Sequence, residues 1–266
     1  MKNLVVAGLA LAALVAPAVA ADMPVKAPPP ALFSWTGFYI GANAGWGTLR
    51  DEDAPYCVNP AGVVMGKGCS RVFGGQVRGK GFIGGGQAGY IWQSGRWIVG
   101  VETDIQGADV SGSDIVTGPF GVVGSKHLSP AASFTAGEKL SWLGTTRGRL
   151  GLAFDHLLLY ATGGVAYGEA SVNQDLVFPT TAVAFPSSAS ATITGWTAGG
   201  GLEYAFLGNW SAKFEGMFYD LGTITTAGVA SPHVNNFVEG KVFKVEGAVA
   251  RVGVNWRFGG LGWYGL

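Results

Sequence analysis

From Trp35 onward, apolar and polar positions alternate with a period of two, the spacing at which successive side chains leave opposite faces of a β-strand. In WTGFYIGANAGWG (35–47), Phe38, Ile40, Ala42, Ala44 and Trp46 share one face, and Tyr39, Gly41, Asn43 and Gly45 share the other. GFIGGGQAGYIWQ (81–93) repeats this, with Phe82, Ala88, Tyr90 and Trp92 opposing Ile83, Gly85, Gln87, Gly89 and Ile91. Over 97–108, Trp97, Val99, Val101 and Ile105 oppose Glu102, Asp104 and Gln106. Over 140–152, Leu140, Trp142, Leu150 and Leu152 oppose Arg147 and Arg149. Residues 192–206 set Trp196, Leu202, Tyr204 and Phe206 against Thr197 and Glu203, and residues 210–221 set Trp210, Phe214 and Phe218 against Lys213 and Glu215. Over 243–258, Val252, Val254, Trp256 and Phe258 oppose Arg251, Asn255 and Arg257. An eighth segment, LLLYATGGVAYG (157–168), is apolar on both faces, so its inward side stays open.

The connections alternate in length. Links of about 30, 30, 20 and 20 residues (50–80, 109–139, 171–191, 223–242) interleave with three short turns, Ser94–Arg96, Ala153–His156 and Leu207–Asn209. Alternating long and short links predict up-and-down hairpins with every long loop at one end. Short periplasmic turns and long external loops are the mark of outer-membrane barrels. The predicted fold is therefore all-β: an eight-stranded antiparallel up-and-down transmembrane β-barrel over 35–258, with four long external loops.

Composition sharpens this reading. The chain is 48% hydrophobic and only 13% charged, yet after the first twenty residues no apolar run approaches the ~20 residues of a membrane helix. High apolar content without long runs is what alternation produces. Residues 1–20 read as a cleaved signal peptide: Lys2, an apolar Leu4–Val15 core and a small-x-small Ala18-Val19-Ala20 site. Residues 21–34 carry Pro24, Pro28, Pro29 and Pro30 and read as an extended periplasmic linker outside any core. With Lys2 removed, the basic side chains fall one below the 17 acidic ones, a balance that argues against a nucleic-acid partner.

Together with LGTTRGRLGLAFDHLLLYATGGVAYG, GWTAGGGLEYAF and NWSAKFEGMFYDLG, the stretches quoted above resemble the small OmpA-like outer-membrane immunogenic proteins of alphaproteobacteria such as rhizobia and brucellae. The resemblance spans nearly all of 35–258 and implies the same barrel, exported to the outer membrane of a Gram-negative bacterium. It does not settle a function, because one fold hosts many. Arg251, Gly253, Trp256 and Phe258 also look like the last-strand signal read by the barrel-insertion machinery. The chain runs on past Phe258 into a short tail, 259–266, where members of the family usually end.

Glu102, Asp104, Arg147, Arg149, Glu203, Lys213, Glu215, Arg251 and Arg257 fall on the inward face. They read either as a selectivity filter or as a polar plug, and the narrow lumen of eight strands favours the plug. Gly85 and Gly89 are expected to leave room for the large inward arginines. Cys57 and Cys69, with eleven residues between them in the first long link, predict a disulfide in an oxidising compartment, worth roughly 3 kcal/mol on the loop-entropy model.

His127 and His233, in external loops, offer a haem-ligation reading that ranks well below ordinary surface histidines. His127-Leu128-Ser129 is similar to the His-x-Ser of barrel enzymes that trim lipid A, but no acidic residue close in sequence orients the base, so no enzyme is expected. The mature start Ala21-Asp22 resembles barrels whose N-terminal amine is joined to peptidoglycan, and fourteen linker residues at ~3.1 Å each reach ~40 Å. The expectation is a structural barrel supporting envelope integrity, with no cofactor. Its expected partners are outer-membrane lipid and lipopolysaccharide, the insertion machinery and, through Ala21, peptidoglycan. A narrow porin-like channel is the alternative.

Overall fold

Strands buried on one face only, each able to pair on both edges, satisfy all their backbone groups when the sheet closes on itself, and this chain does so. The computed structural model describes residues 33–50, 56–57, 72–73, 77–121, 128–178, 183–226, 229–230, 237–238 and 242–258. In chain order the strands are β1 (Gly37–Arg50), β2 (Tyr56–Cys57), β3 (Val72–Phe73), β4 (Arg78–Ser94), β5 (Trp97–Gly121), β6 (Leu128–Phe154), β7 (Leu157–Phe178), β8 (Val183–Leu207), β9 (Trp210–Thr225), β10 (Val229–Ala230), β11 (Phe237–Val238) and β12 (Val242–Phe258). Eight of them form a closed barrel in the order β1-β12-β9-β8-β7-β6-β5-β4, sealed by antiparallel pairing of Phe38 with Phe258 through Arg50 with Glu246.

At one end the hairpins are tight. Gly95, Asp155 and Gly208 each open a two-residue turn with φ of 60°, 55° and 51°, a left-handed conformation that glycine takes without cost and aspartate tolerates.

The opposite end departs from expectation. Residues 109–139 and 171–191 are largely strand rather than loop: β5 runs to Gly121 and β6 starts at Leu128, while β7 runs to Phe178 and β8 starts at Val183. Alternation disappears there because, beyond the lipid, neither sheet face has to be apolar, and backbone pairing alone continues the ladder. The other two links contain the short ladders β2–β3 and β10–β11.

The outward face carries exposed Phe38, Trp92, Trp97, Phe206, Trp210, Trp256 and Phe258 toward the tight turns, and Trp46, Phe82, Trp196 and Phe218 toward the other end. Many of these rings touch across strands: Trp46–Phe82 at 5.9 Å, Trp196–Phe218 at 5.6 Å and Trp210–Trp256 at 6.1 Å. About ten residues of β4 separate Phe82 from Trp92. At ~3.4 Å per residue and a tilt of ~40°, they span roughly the 25 Å apolar band of an outer-membrane barrel between its two aromatic girdles.

Two local expectations are corrected. Leu140, read as lipid-facing with Leu150, is buried at 1% exposure. Between Leu140 and Trp142 the chain spends one residue more than its partner β7, and this bulge reverses which side chains face inward above it. The second correction concerns residues 33–35, where the linker expected over 21–34 gives way to the barrel. Phe33 and Trp35 are buried and close the tight-turn mouth, and β1 begins only at Gly37. The Trp35 indole donates to the Asp155 carbonyl at 2.9 Å, and its backbone amide donates to Gln93 Oε1 at 2.7 Å.

Candidate functional site: a charged layer across the lumen

The alternation that sends apolar groups to lipid sends a set of charges on the same strands inward. Glu102, Asp104, Arg147, Arg149, Glu203, Lys213, Glu215, Arg251 and Arg257 all lie inside the barrel, each no more than 3% exposed. β5 supplies Glu102 and Asp104, β6 supplies Arg147 and Arg149, β8 supplies Glu203, β9 supplies Lys213 and Glu215, and β12 supplies Arg251 and Arg257.

The register sets Glu102 directly opposite Arg147, whose Nη2 donates to Glu102 Oε1 at 2.6 Å and to Asp104 Oδ2 at 3.0 Å. Arg147 also crosses the lumen to β9, where Nη1 donates to Glu215 Oε1 at 2.9 Å. Arg251 answers from β12: its Nη2 donates to Glu215 Oε2 at 2.6 Å and to Asp104 Oδ2 at 2.9 Å. Lys213 Nζ donates to both Glu102 oxygens at 2.9 Å. Arg149 Nη2 reaches Glu203 Oε2 at 3.0 Å. Four carboxylates and four cations thus neutralise one another in a single layer; Arg257 stands apart, at the mouth.

Neutral groups complete the layer. Tyr39 donates to Glu102 Oε2 and accepts from Arg149 Nη1, both at 2.8 Å, and Tyr160 donates to Glu215 Oε1 at 3.1 Å while its ring lies 3.8 Å beneath the Arg149 guanidinium. Thr145 accepts from Arg147 Nε and donates to Asp104 at 2.8 Å each. A polar chain runs Asn43 to Gln87 to Asn255 to Glu203 at 2.8, 2.6 and 2.8 Å. Isolated buried charges cost several kcal/mol each, and only pairing with this many hydrogen bonds makes such a layer tolerable.

The layer is sealed on both sides. Toward the tight turns lie Phe33, Trp35, Tyr39, Ile91, Ile98, Leu158 and Tyr160. Toward the other end lies a larger apolar cluster including Leu49, Ile83, Val110, Leu140, Leu143, Met217, Tyr219, Phe243 and Val245. Chemically, the ion pairs tie side chains of β5, β6, β8, β9 and β12 to one another across the lumen.

The roles of Tyr160, Phe33 and Trp35 escape a reading by alternation. Tyr160 sits on the strand that is apolar on both faces, and the other two precede the first strand. Tyr39 had a legible signal, a large residue opposite Gly89. The space at Gly89 belongs to Tyr39, whose ring lies where a Cβ would stand, rather than directly to an arginine.

In the last strand, Arg251 is part of the layer, Gly253 faces inward with Lys213 Cε 3.2 Å from where its Cβ would be, and Trp256 and Phe258 face lipid. Cys57 pairs in the β2–β3 ladder, whereas Cys69 lies outside the described residues. Ala21, Asp22, His127, His233 and the tail 259–266 also lie outside them. Ser129, expected in a loop, pairs with Phe120 in the β5–β6 ladder. Among the described residues no group of three or more His, Cys, Asp or Glu is placed to hold a metal ion.

Residues 7–258 match the family model described as outer membrane protein beta-barrel domain. The 31 kDa outer-membrane immunogenic protein of Brucella melitensis is 37% identical over 268 residues, covering 97% of this chain and all of that protein. The 22 kDa outer membrane protein of Rhizobium leguminosarum bv. viciae is 32% identical over 187 residues, covering 70% of this chain and 64% of its own length. Among solved structures, the outer membrane protein OprG from Pseudomonas aeruginosa aligns with a TM-score of 0.47 at 15% identity, over 84% of this chain and 96% of that one.

Proposed function

Since the chain belongs to the outer membrane β-barrel protein family and is an outer-membrane protein, we propose that it works as a closed, non-enzymatic structural barrel that supports the cell envelope. The single observation that carries this reading is the neutralised charge layer spanning the lumen between two apolar clusters. A conducting pore needs a continuous wet path, whereas here guanidinium groups from β6 and β12 meet carboxylates from β5 and β9 in mid-lumen. The geometry favours a strut over a channel.

The periplasmic attachment belongs to the same reading. A mature N-terminal amine at Ala21, followed by Asp22 and a proline-stiffened stretch, would join the barrel to peptidoglycan and transmit load between the two layers. The Phe33–Trp35 segment, wedged into the tight-turn mouth, supports this by fixing in the barrel the point where that stretch meets β1.

Two measurements test the proposal. The refolded full chain in planar bilayers should show no steady conductance, and Arg147→Gln or Glu102→Gln should lower stability rather than alter ion selectivity. Steady single-channel currents changed by either variant would replace the strut with a porin. Mass spectrometry of detergent-boiled, muramidase-digested sacculi should find a peptide that begins at Ala21 and carries a stem-peptide fragment. Recovery of Ala21 only as a free amine in the membrane fraction would remove the tether and leave the barrel.

A further inference from the structure

Asn43 Oδ1, Gln106 Oε1 and Arg251 Nη1 are buried in the lumen and have no hydrogen-bond partner among the described residues. Their residues are 6%, 0% and 1% exposed. Carboxylates fix which atom each side chain leaves over. An ionised carboxylate only accepts, so Gln106 turns its amide nitrogen to Asp104 Oδ1 at 2.9 Å and its oxygen is left free. At Glu203 the same rule makes Asn255 donate through Nδ2, so its oxygen accepts from Gln87 Nε2, and Gln87 Oε1 accepts from Asn43 Nδ2. Asn43 Oδ1 is the acceptor remaining at the end of that chain. Arg251 commits Nε and Nη2 to Glu215 and Asp104, which leaves Nη1 as a donor without use.

The register brings these three groups to one side of the lumen. Gly85 of β4 stands between Asn43 of β1 and Gln106 of β5 and puts no side chain inward. Gly45, the next inward residue of β1, pairs with Arg251 across the β1–β12 closure. Asp104 holds Gln106 through one oxygen and Arg251 through the other, so the free ends of both side chains lie beside the same carboxylate. The set is one donor and two acceptors. Left dry, each atom carries the full penalty of its lost hydration. A cation suits the two carbonyl oxygens but is repelled by the guanidinium, and an anion suits the guanidinium but is repelled by the oxygens. Water satisfies all three: its oxygen accepts from Arg251 while its hydrogens donate to Asn43 and Gln106, and about three such bonds is the usual number for a buried water.

We propose that Asn43, Gln106 and Arg251 form a binding site for one enclosed water molecule beside the charged layer. The water joins the free end of the Asn43–Gln87–Asn255 chain to Arg251, so that the chain meets the ion pairs at both ends, at Glu203 and at Arg251. Through this link β4, which supplies Gln87 but no charge to the layer, is tied into the ring of hydrogen bonds that crosses the lumen. The site rests on the closed lumen of the structural reading above, because in a wet pore the same three atoms would meet exchanging solvent.

A high-resolution crystal structure of the full chain, with a second crystal soaked in rubidium bromide, tests the site without any mutation. It should show one isolated peak about 2.7–3.2 Å from all three atoms, with no anomalous signal from either ion. Direct pairing of the three atoms with one another, or no peak, overturns the site and leaves the closed barrel standing. Rubidium or bromide at the position overturns the assignment to water. A continuous file of waters from the site to either mouth overturns the enclosure and the closed barrel together, and steady bilayer currents would accompany it. Oxygen-17 relaxation dispersion of water around the refolded full chain gives a second readout, with folding checked by heat-shifted gel mobility. Asn43→Leu should lower the number of long-lived waters by about one per barrel, whereas Gly86→Ala, facing outward on β4, should leave it unchanged. An unchanged number in Asn43→Leu overturns the proposal.

Discussion

The guanidinium of Arg257, between the outward Trp256 and Phe258 at the end of the last strand, lies 4.5 Å over the ring of Trp35, two residues before the first strand. Phe33 takes the other position at 4.5 Å, and Arg257 Nη1 donates to the Ser34 carbonyl at 3.3 Å. Both edges of the barrel closure are thus clamped at the tight-turn mouth by one stacked cation.

Removing the anchor of that clamp should loosen the whole closure. Trp35→Ala is expected to cost about 3–5 kcal/mol, the usual range for deleting a fully buried tryptophan. Arg257→Ala should cost less, because its loss leaves no buried charge unpaired. Urea unfolding of the barrel in lipid vesicles, followed by tryptophan fluorescence from the outward girdles, measures both.

Within the charge layer, Glu215 receives Arg147 and Arg251 together. Glu215→Gln leaves two guanidinium groups short of a counter-charge and should destabilise by about 3–5 kcal/mol. Asp109→Asn, which removes the solvent-exposed partner of Lys139, should cost no more than about 1 kcal/mol. Equal effects in the same vesicle assay would mean that the layer is not the source of the barrel's rigidity.

Gly89 and Gly86 stand on opposite faces of β4 and separate two reasons for glycine. A Cβ at Gly89 would collide with the Tyr39 hydroxyl and lie 2.5 Å from its Cζ, so Gly89→Ala should cost about 1–3 kcal/mol through displacement of the tyrosine. At Gly86 the nearest atom, the Gly41 carbonyl oxygen, is 3.8 Å away, and Gly86→Ala should stay within about 0.5 kcal/mol. Because Tyr39 bridges Glu102 and Arg149, the first variant combined with Tyr39→Phe should be less than additive.

Leu140 tests the bulge. As an inward residue of the upper apolar cluster it should lose about 2–5 kcal/mol on change to alanine. Were it lipid-facing, as simple alternation from Leu150 implies, the same change would be nearly silent in vesicle unfolding.

Period-two alternation is a local property, and it alone is enough to read seven of the eight barrel strands and the inward placement of Glu102, Arg147, Glu203 and Glu215. A side chain's face follows from its neighbours in the chain as long as the strand is regular and one side meets lipid. Where those conditions lapse, the reading lapses with them. One extra residue at the bulge turns Leu140 inward, and β5 through β8 continue past the membrane as polar strands that look like loops.

Partner choice inside the lumen is not local at all. Lys213 stands opposite Glu203 in the register, yet its ammonium reaches Glu102, while Glu203 is taken by Arg149, Ser211 and Asn255. The Phe33–Trp35 clamp likewise joins residues more than two hundred positions apart. Which face a residue occupies is written in chain order by the pleat, but which charge meets which depends on the closure of the ring, because only then do side chains from non-adjacent strands share one narrow space.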